Sequence, residues 1–299
     1  MKRKTSTPPT QPDEMSLLKG LVAAAHPFPL GTVMALTALV AAASAGWEPS
    51  GGRLALLLAA MFGSQLAIGW SNDLLDRESD ARHQPWKPVP SGLVDAKQLR
   101  FAIGVALAVS IGCGVALGMG ALLLLVAGTA CGLGYNLGLK DSRLSAVPFV
   151  VALAILPPFV WSALGVYRGE FLWLYALGSP LALAAHVANT LPDLEADMEA
   201  GRKGLVVTLG RARSLWLLGA CLVAPLAVFT ATLASVNYDT MVIGTRSYLI
   251  AWVVVTYIGF CLLIVHRYVV AADRAGEVWA FRLVALGSVL FSAGWLASL

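Results

Sequence analysis

Apolar stretches about 20 residues long recur along this chain, separated by short polar or charged segments, and that length matches the hydrocarbon thickness of a bilayer crossed by a helix. Nine helical spans are expected, near residues 25–45, 54–72, 98–117, 120–139, 145–166, 170–190, 213–234, 246–267 and 279–298. The loops after the second, fourth, sixth and eighth spans are charged, whereas the intervening loops carry almost no basic residues. All 21 Lys and Arg except Arg53, Arg168 and Arg246 fall on the amino-terminal side. The excess of cations on one side predicts a cytoplasmic amino terminus and cytoplasmic charged loops, with the carboxyl terminus opposite. The cell membrane is the expected location. Residues 1–14, basic and then rich in Thr and Pro, read as a disordered cytoplasmic tail, leaving 15–299 as one membrane domain. The first apolar segment is too long and uninterrupted for a removable signal.

Composition supports an all-α integral membrane protein: of 299 residues 58% are hydrophobic and 13% charged, and the mean hydropathy is +0.75. Cys113, Cys131, Cys221 and Cys261 lie in apolar segments without paired spacing, which indicates neither a disulfide framework nor a zinc site. The net charge of +4 follows from topology, and no nucleic-acid partner is indicated. Most of the acids share the cytoplasmic side, which orientation does not require.

Two acidic clusters account for several of them. At the end of the second span, Asn72, Asp76 and Asp80 recur every fourth residue and Asp73 stands three before Asp76, so one helical face carries most of these oxygens. Carboxylates this close repel one another unless a cation lies among them, and Mg²⁺ takes a few carboxylates together with waters and phosphate oxygens. A solvated helix end is the plain alternative. At the end of the sixth span Asn189, Asp193 and Asp197 repeat the same frame. Each cluster leads into a turn, Trp86 to Gly92 in one case and Gly201 to Gly204 in the other.

A third charged loop, Tyr135 to Arg143, follows the fourth span and adds Lys140 and Arg143 on the same side. Both could serve only as topology determinants, and Tyr135 only as an interfacial aromatic. His26, opening the first span, and His186, three residues before Asn189, are lone histidines, more often structural than catalytic. Pro157, Pro158 and Pro225 should bend their helices. Gly112, Gly114, Gly118 and Gly120 crowd one hairpin, where small residues permit close helix approach.

Acidic clusters on two spans, each holding Mg²⁺ beside Lys140, would clamp a diphosphate and stabilise its departure, while an apolar chamber keeps water from the allylic cation. Asn72, Asp73, Asp76 and Asp80 match the Asn-Asp-x-x-Asp-x-x-x-Asp pattern of the UbiA-type intramembrane prenyltransferases, which this chain resembles. Asp193 and Asp197 resemble that family's second motif, Lys87 to Gly92 its basic turn, and Tyr135 to Lys140 its diphosphate-binding loop. The resemblance implies two four-helix halves plus one extra span around a central cavity. It also implies that Asp73, Asp76, Asp80, Asp193 and Asp197 hold Mg²⁺ and the diphosphate. Asp73, Asp76, Asp193 and Lys140 would be catalytic, and Asn72, Lys87, Tyr135, Lys140, Arg143 and Asn189 would bind substrate. Thr190 stands where some members carry a further aspartate, and His26 where members using carboxylated aromatic acceptors carry Arg or Lys.

The expected reaction is Mg²⁺-dependent transfer of a prenyl group from an isoprenoid diphosphate to a lipid-soluble acceptor such as an aromatic quinone precursor, with membrane lipid around it. A terpene cyclase of the same family, needing no acceptor, fits the motifs equally. A non-catalytic transporter is the reading from another class, since intramembrane acids also mark ion pathways.

Overall fold

A computed structural model of the chain describes residues 14–46, 50–167, 169–235, 243–269 and 274–298. Their helices are α1 (Glu14–Ala24), α2 (Pro27–Ser44), α3 (Gly51–His83), α4 (Ala96–Leu117), α5 (Met119–Asn136), α6 (Val147–Leu164), α7 (Trp173–Thr190), α8 (Leu194–Glu199), α9 (Leu205–Ser235), α10 (Ile243–Val269) and α11 (Arg274–Ser298). Among the described residues seven helices are long and apolar enough to cross a membrane: α2 to α6, α9 through Phe229, and α11 from Ala275 to Gly294. The sixth and eighth expected spans coincide with α7 and α10, and the apolar stretch of α10 within the described residues is Trp252–Tyr268. Residues 1–13 of the expected tail lie outside the described residues.

Helix boundaries depart from the hydropathy pattern for local reasons. Pro27 crowds the residue before it out of the right-handed α region, which splits the amino-terminal helix in two at His26, itself in the left-handed region (φ 50°, ψ 69°). Pro27 itself is tolerated in the first turn of α2, where its missing N–H has no partner to lose. Glu14, assigned to the tail by composition, opens α1. Leu17 and Leu21 of α1 pack with Val94, Leu99 and Trp70, and Trp70 Nε1 donates to the Leu21 carbonyl at 2.9 Å. Most consequentially, α3 does not stop where its apolar run ends but continues to His83, carrying Asn72 to Asp80 on one unbroken helix. In α9 the chain bends at Gly210 (φ 73°, ψ 167°), a backbone position that glycine adopts at little cost.

Three apolar clusters hold the bundle. Val40, Leu57, Ala60, Leu125 and Phe159 join α2, α3, α5 and α6, and Val187, Leu191, Leu222, Ile264 and Val284 join α7 with α9 to α11. Ala43, Trp161, Leu177, Phe229 and Phe291 tie the two groups together. A cavity remains between α2, α6, α7 and α11, with about 1050 Å³ of space among its residues, part of it open to the outside. Small residues set the close contacts. A Cβ on Gly63 would lie 2.6 Å from the Ala106 carbonyl of α4, and one on Gly120 2.6 Å from Ser162 Oγ of α6. Of the four hairpin glycines only Gly114 and Gly120 face a neighbour; Gly112 faces open space and Gly118 makes the turn at φ 113°.

Candidate active site

The carboxyl-terminal turns of α3 gather the first acidic cluster. Asp73 is 2% exposed; His26 Nε2 donates to its Oδ1 at 3.0 Å, and Lys87 Nζ lies 3.5 Å from the same oxygen. Lys87 also bonds Asp80 Oδ2 at 2.9 Å, so the turn after α3 folds its lysine back between two aspartates. Burial pushes the Lys87 ammonium down, but the Asp80 hydrogen bond and the charges of Asp73, Asp80 and Asp76 outweigh it and raise its pKa. Lys140 contacts both carboxylate oxygens of Asp76. Asn72 Nδ2 donates to Asp76 Oδ2 at 3.1 Å and to Asn136 Oδ1 at 3.3 Å, while Asn136 Nδ2 donates to the Ile68 carbonyl and Ser71 Oγ, both at 2.8 Å. Asn136 thereby fastens the end of α5 to α3 and orients Asn72.

The second cluster starts where α7 gives way to a 3₁₀ turn, Leu191–Asp193, and then to α8. Asp193 and Asp197 are half-buried. Burial raises the Asp197 pKa, opposed by Arg202 and reinforced by Asp193 and Asp141. Arg202 binds Asp197 Oδ1 at 3.2 Å through Nη1 and approaches Asp141 Oδ1 at 3.4 Å through Nε. Lys203 N–H donates to the Asp141 carbonyl at 3.2 Å, and a Cβ on Gly204 would lie 3.1 Å from the Lys140 carbonyl. The loop bearing Lys140 is thus gripped on one side by Asp76 of the first cluster and on the other by the turn that follows the second.

Beneath this loop, Ser145 Oγ accepts from Leu205 N–H at 3.0 Å and lies 3.1 Å from His186 Nε2. The fully buried His186 ring stands against Phe149 and Tyr135, with centroids 5.1 and 6.0 Å apart. Phe149 also lines the cavity, beside Pro29, Ala185 and Phe281. The two acidic clusters therefore sit around one end of an apolar chamber.

The structure brings Asn72, Asp73, Asp76, Asp80, Lys87 and Lys140 into one connected group, with Asp197 joined through Arg202 and Asp141. Tyr135 packs edge-on against His186, and Asn189 is half-buried near the second cluster. Arg143 is exposed. Three members of the group were not singled out by spacing: Asn136, Arg202 and Asp141 act across space between helices, and only their nearness in sequence to Lys140 or to the glycine turn hints at them. Among the described residues no set of three His, Cys, Asp or Glu side chains stands ready to hold a metal alone. The oxygen donors nevertheless fit Mg²⁺, which takes one or two carboxylates and completes its shell with waters and substrate phosphates.

The model of the UbiA prenyltransferase family matches residues 32–293. The digeranylgeranylglyceryl phosphate synthase of Methanopyrus kandleri is 28% identical over 234 residues, covering 76% of this chain and 80% of that one. The chloroplastic chlorophyll synthase of Avena sativa is 28% identical over 164 residues, covering 49% and 42%. A UbiA homolog from Archaeoglobus fulgidus, solved bound to GPP and Mg²⁺, superposes with a TM-score of 0.67 at 15% identity, covering 93% of this chain and 99% of that one. The all-helical bundle is that fold, and with the family model matching most of its length, this chain belongs to the UbiA prenyltransferase family.

Proposed function

We propose that this integral membrane prenyltransferase moves a prenyl group from an isoprenoid diphosphate to a lipid-soluble acceptor, with Mg²⁺ as cofactor. The observation that carries the reading is the pair of acidic clusters joined through the Lys140 loop at one end of an apolar cavity. Transfer to a lipid acceptor agrees with the named relatives, a digeranylgeranylglyceryl phosphate synthase and a chlorophyll synthase. Mg²⁺ dependence is supported by the neighbour solved with GPP and Mg²⁺. An aromatic quinone precursor is the acceptor expected from the sequence, alongside the glyceryl phosphate class that the first relative's name carries.

Asp73, Asp76, Asp80, Asp193 and Asp197 would hold Mg²⁺. The ion would supply positive charge to the diphosphate oxygens as the carbon–oxygen bond breaks and both bonding electrons leave with the diphosphate. Lys140 and Lys87 already neutralise the carboxylates, and their ammonium donors turn to phosphate oxygens when substrate arrives. Asn72, held by Asn136, keeps Asp76 oriented. Phe149, Leu153, Leu181 and Ala182 line the chamber for the isoprenoid chain and exclude water from the allylic cation. The acceptor's nucleophile closes the new bond and gives up its proton. Acceptor and tail enter from a membrane whose cytoplasmic face carries the charged loops, in a cell membrane.

The test incubates detergent-purified protein with Mg²⁺ and allylic diphosphates of several lengths, with and without glyceryl ether phosphates and quinone precursors, and analyses organic extracts by mass spectrometry. A prenylated acceptor that disappears on chelation supports the reading. A cyclic terpene formed without acceptor would replace it with the cyclase, and isoprenoid movement across vesicles without diphosphate release would replace it with a transporter.

A further inference from the structure

Arg282 follows Phe281, a cavity-lining residue of α11. Its guanidinium carbon lies 4.8 Å from the centre of the Trp279 ring and 5.8 Å from that of Phe28. Phe28 meets Phe281 edge-on at 5.8 Å and stands two residues beyond His26, which holds Asp73. Arg282 therefore sits between α2 and α11, at the end of the cavity where the first acidic cluster lies.

Despite those acids, Arg282 is not spent on any of them. It is half-buried and makes no ion pair or hydrogen bond to a described residue, and Glu277, the acid of its own helix, is paired with Arg211. A guanidinium stays charged throughout the physiological range and carries five N–H donors in a planar fork. The two rings offset part of its lost hydration and fix its position, while the fork remains open to a carboxylate or phosphate. The cations of the acidic clusters, Lys87, Lys140 and Arg202, come from other elements than α11. A second anion beside a bound diphosphate needs a cation of its own to offset the repulsion.

We propose that Arg282 recognises an anionic group, phosphate or carboxylate, on the acceptor and holds it in the cleft between α2 and α11 with the nucleophile turned toward the prenyl diphosphate. This inference rests on the prenyl-transfer reading above. It makes the enzyme selective for acceptors with an acidic head. The same chemistry could draw in the headgroup of an anionic bilayer phospholipid, and the experiment separates the two.

Binding is measured on the full-length protein in a neutral detergent, without turnover, for two probe pairs: a dialkylglyceryl phosphate against the dialkylglycerol, and an alkylbenzoate against the alkylbenzyl alcohol. In the wild type at least one anionic member should bind about ten-fold more tightly than its neutral partner. Arg282→Gln should abolish that preference and Arg282→Lys keep part of it. Binding of geranylgeranyl diphosphate with Mg²⁺, measured on the same preparations, should be unchanged in Arg282→Gln. Equal binding of both members in both pairs overturns the proposal, as does an equal loss of diphosphate binding in Arg282→Gln. Displacement of the anionic probe by phosphatidylglycerol at equal concentration also overturns it, reassigning the cleft to bilayer lipid. If the wild type binds no geranylgeranyl diphosphate, the prenyl-transfer reading fails, while the probe pairs still decide what Arg282 binds.

Discussion

Lys140 reaches Asp76 from the loop after α5, and Lys87 reaches Asp73 and Asp80 from the turn after α3; each ammonium relieves repulsion among carboxylates that α3 stacks a turn apart. In the proposed reaction the same donors would meet phosphate oxygens. Replacing Lys140 with Gln should therefore lower turnover by about 100-fold while circular dichroism and detergent-solution melting remain those of a folded protein. Lys97→Gln, at an exposed site on the first turn of α4, should leave turnover unchanged. The acidic frame at residues 72–80 was legible because its chemistry is local: four residues on one helix share a face whatever surrounds them. Arg202 was not, because its bridge from Asp197 to Asp141 exists only once α8 and the loop after α5 are brought together. Phe149 and Tyr175 line the cavity, Phe159 is buried in the core, and Trp161 donates to Ser44 Oγ at 3.1 Å. Periodicity could not sort these aromatics, since helices that are apolar all round carry no stripe to mark their inner face.

Runs of apolar residues located the helices, but what terminates them depends on groups that hydropathy does not weigh. Asp73 to Asp80 stay helical because α3 continues past its apolar portion, and the break at His26 follows from one proline. Arg53, which the charge count treats only as a cation on the far side, has a structural task. Its Nε donates to the Ala163 carbonyl at 2.7 Å and its Nη2 to the Leu117 carbonyl at 3.2 Å. These are carbonyls at the carboxyl-terminal ends of α6 and α4, where the orphan acceptors and the negative end of the helix dipole favour a cation. Arg53→Ala should cost about 1.5–3 kcal/mol through lost charged hydrogen bonds. A lower melting temperature with near-normal affinity for prenyl diphosphate would be seen, because the site lies at the opposite end of these helices.

For the molecule as a whole, the two helix groups leave between them a chamber with an acidic end and an apolar body, and in the proposed reaction the first would hold the charged head and the second the isoprenoid chain. Gly178 of α7 lines that body two turns from His186, and a Cβ there meets nothing within 4 Å. Gly178→Leu should fill part of the space and shift selectivity toward shorter chains. Competition between geranyl and geranylgeranyl diphosphates should then favour the shorter by about ten-fold relative to wild type, the worth of a few displaced methylenes. Chain length was never legible in the sequence, since chamber depth depends on how α2, α6, α7 and α11 pack.

In the proposed reaction the two acidic clusters act on one diphosphate. The most direct measurement is Mg²⁺-dependent binding of a non-reactive geranylgeranyl thiolodiphosphate to wild type, Asp76→Asn and Asp193→Asn by calorimetry. Binding that requires Mg²⁺ in the wild type and falls by at least about ten-fold in each variant, with both variants folded, is the predicted result. Wild-type affinity in either variant would contradict the shared site.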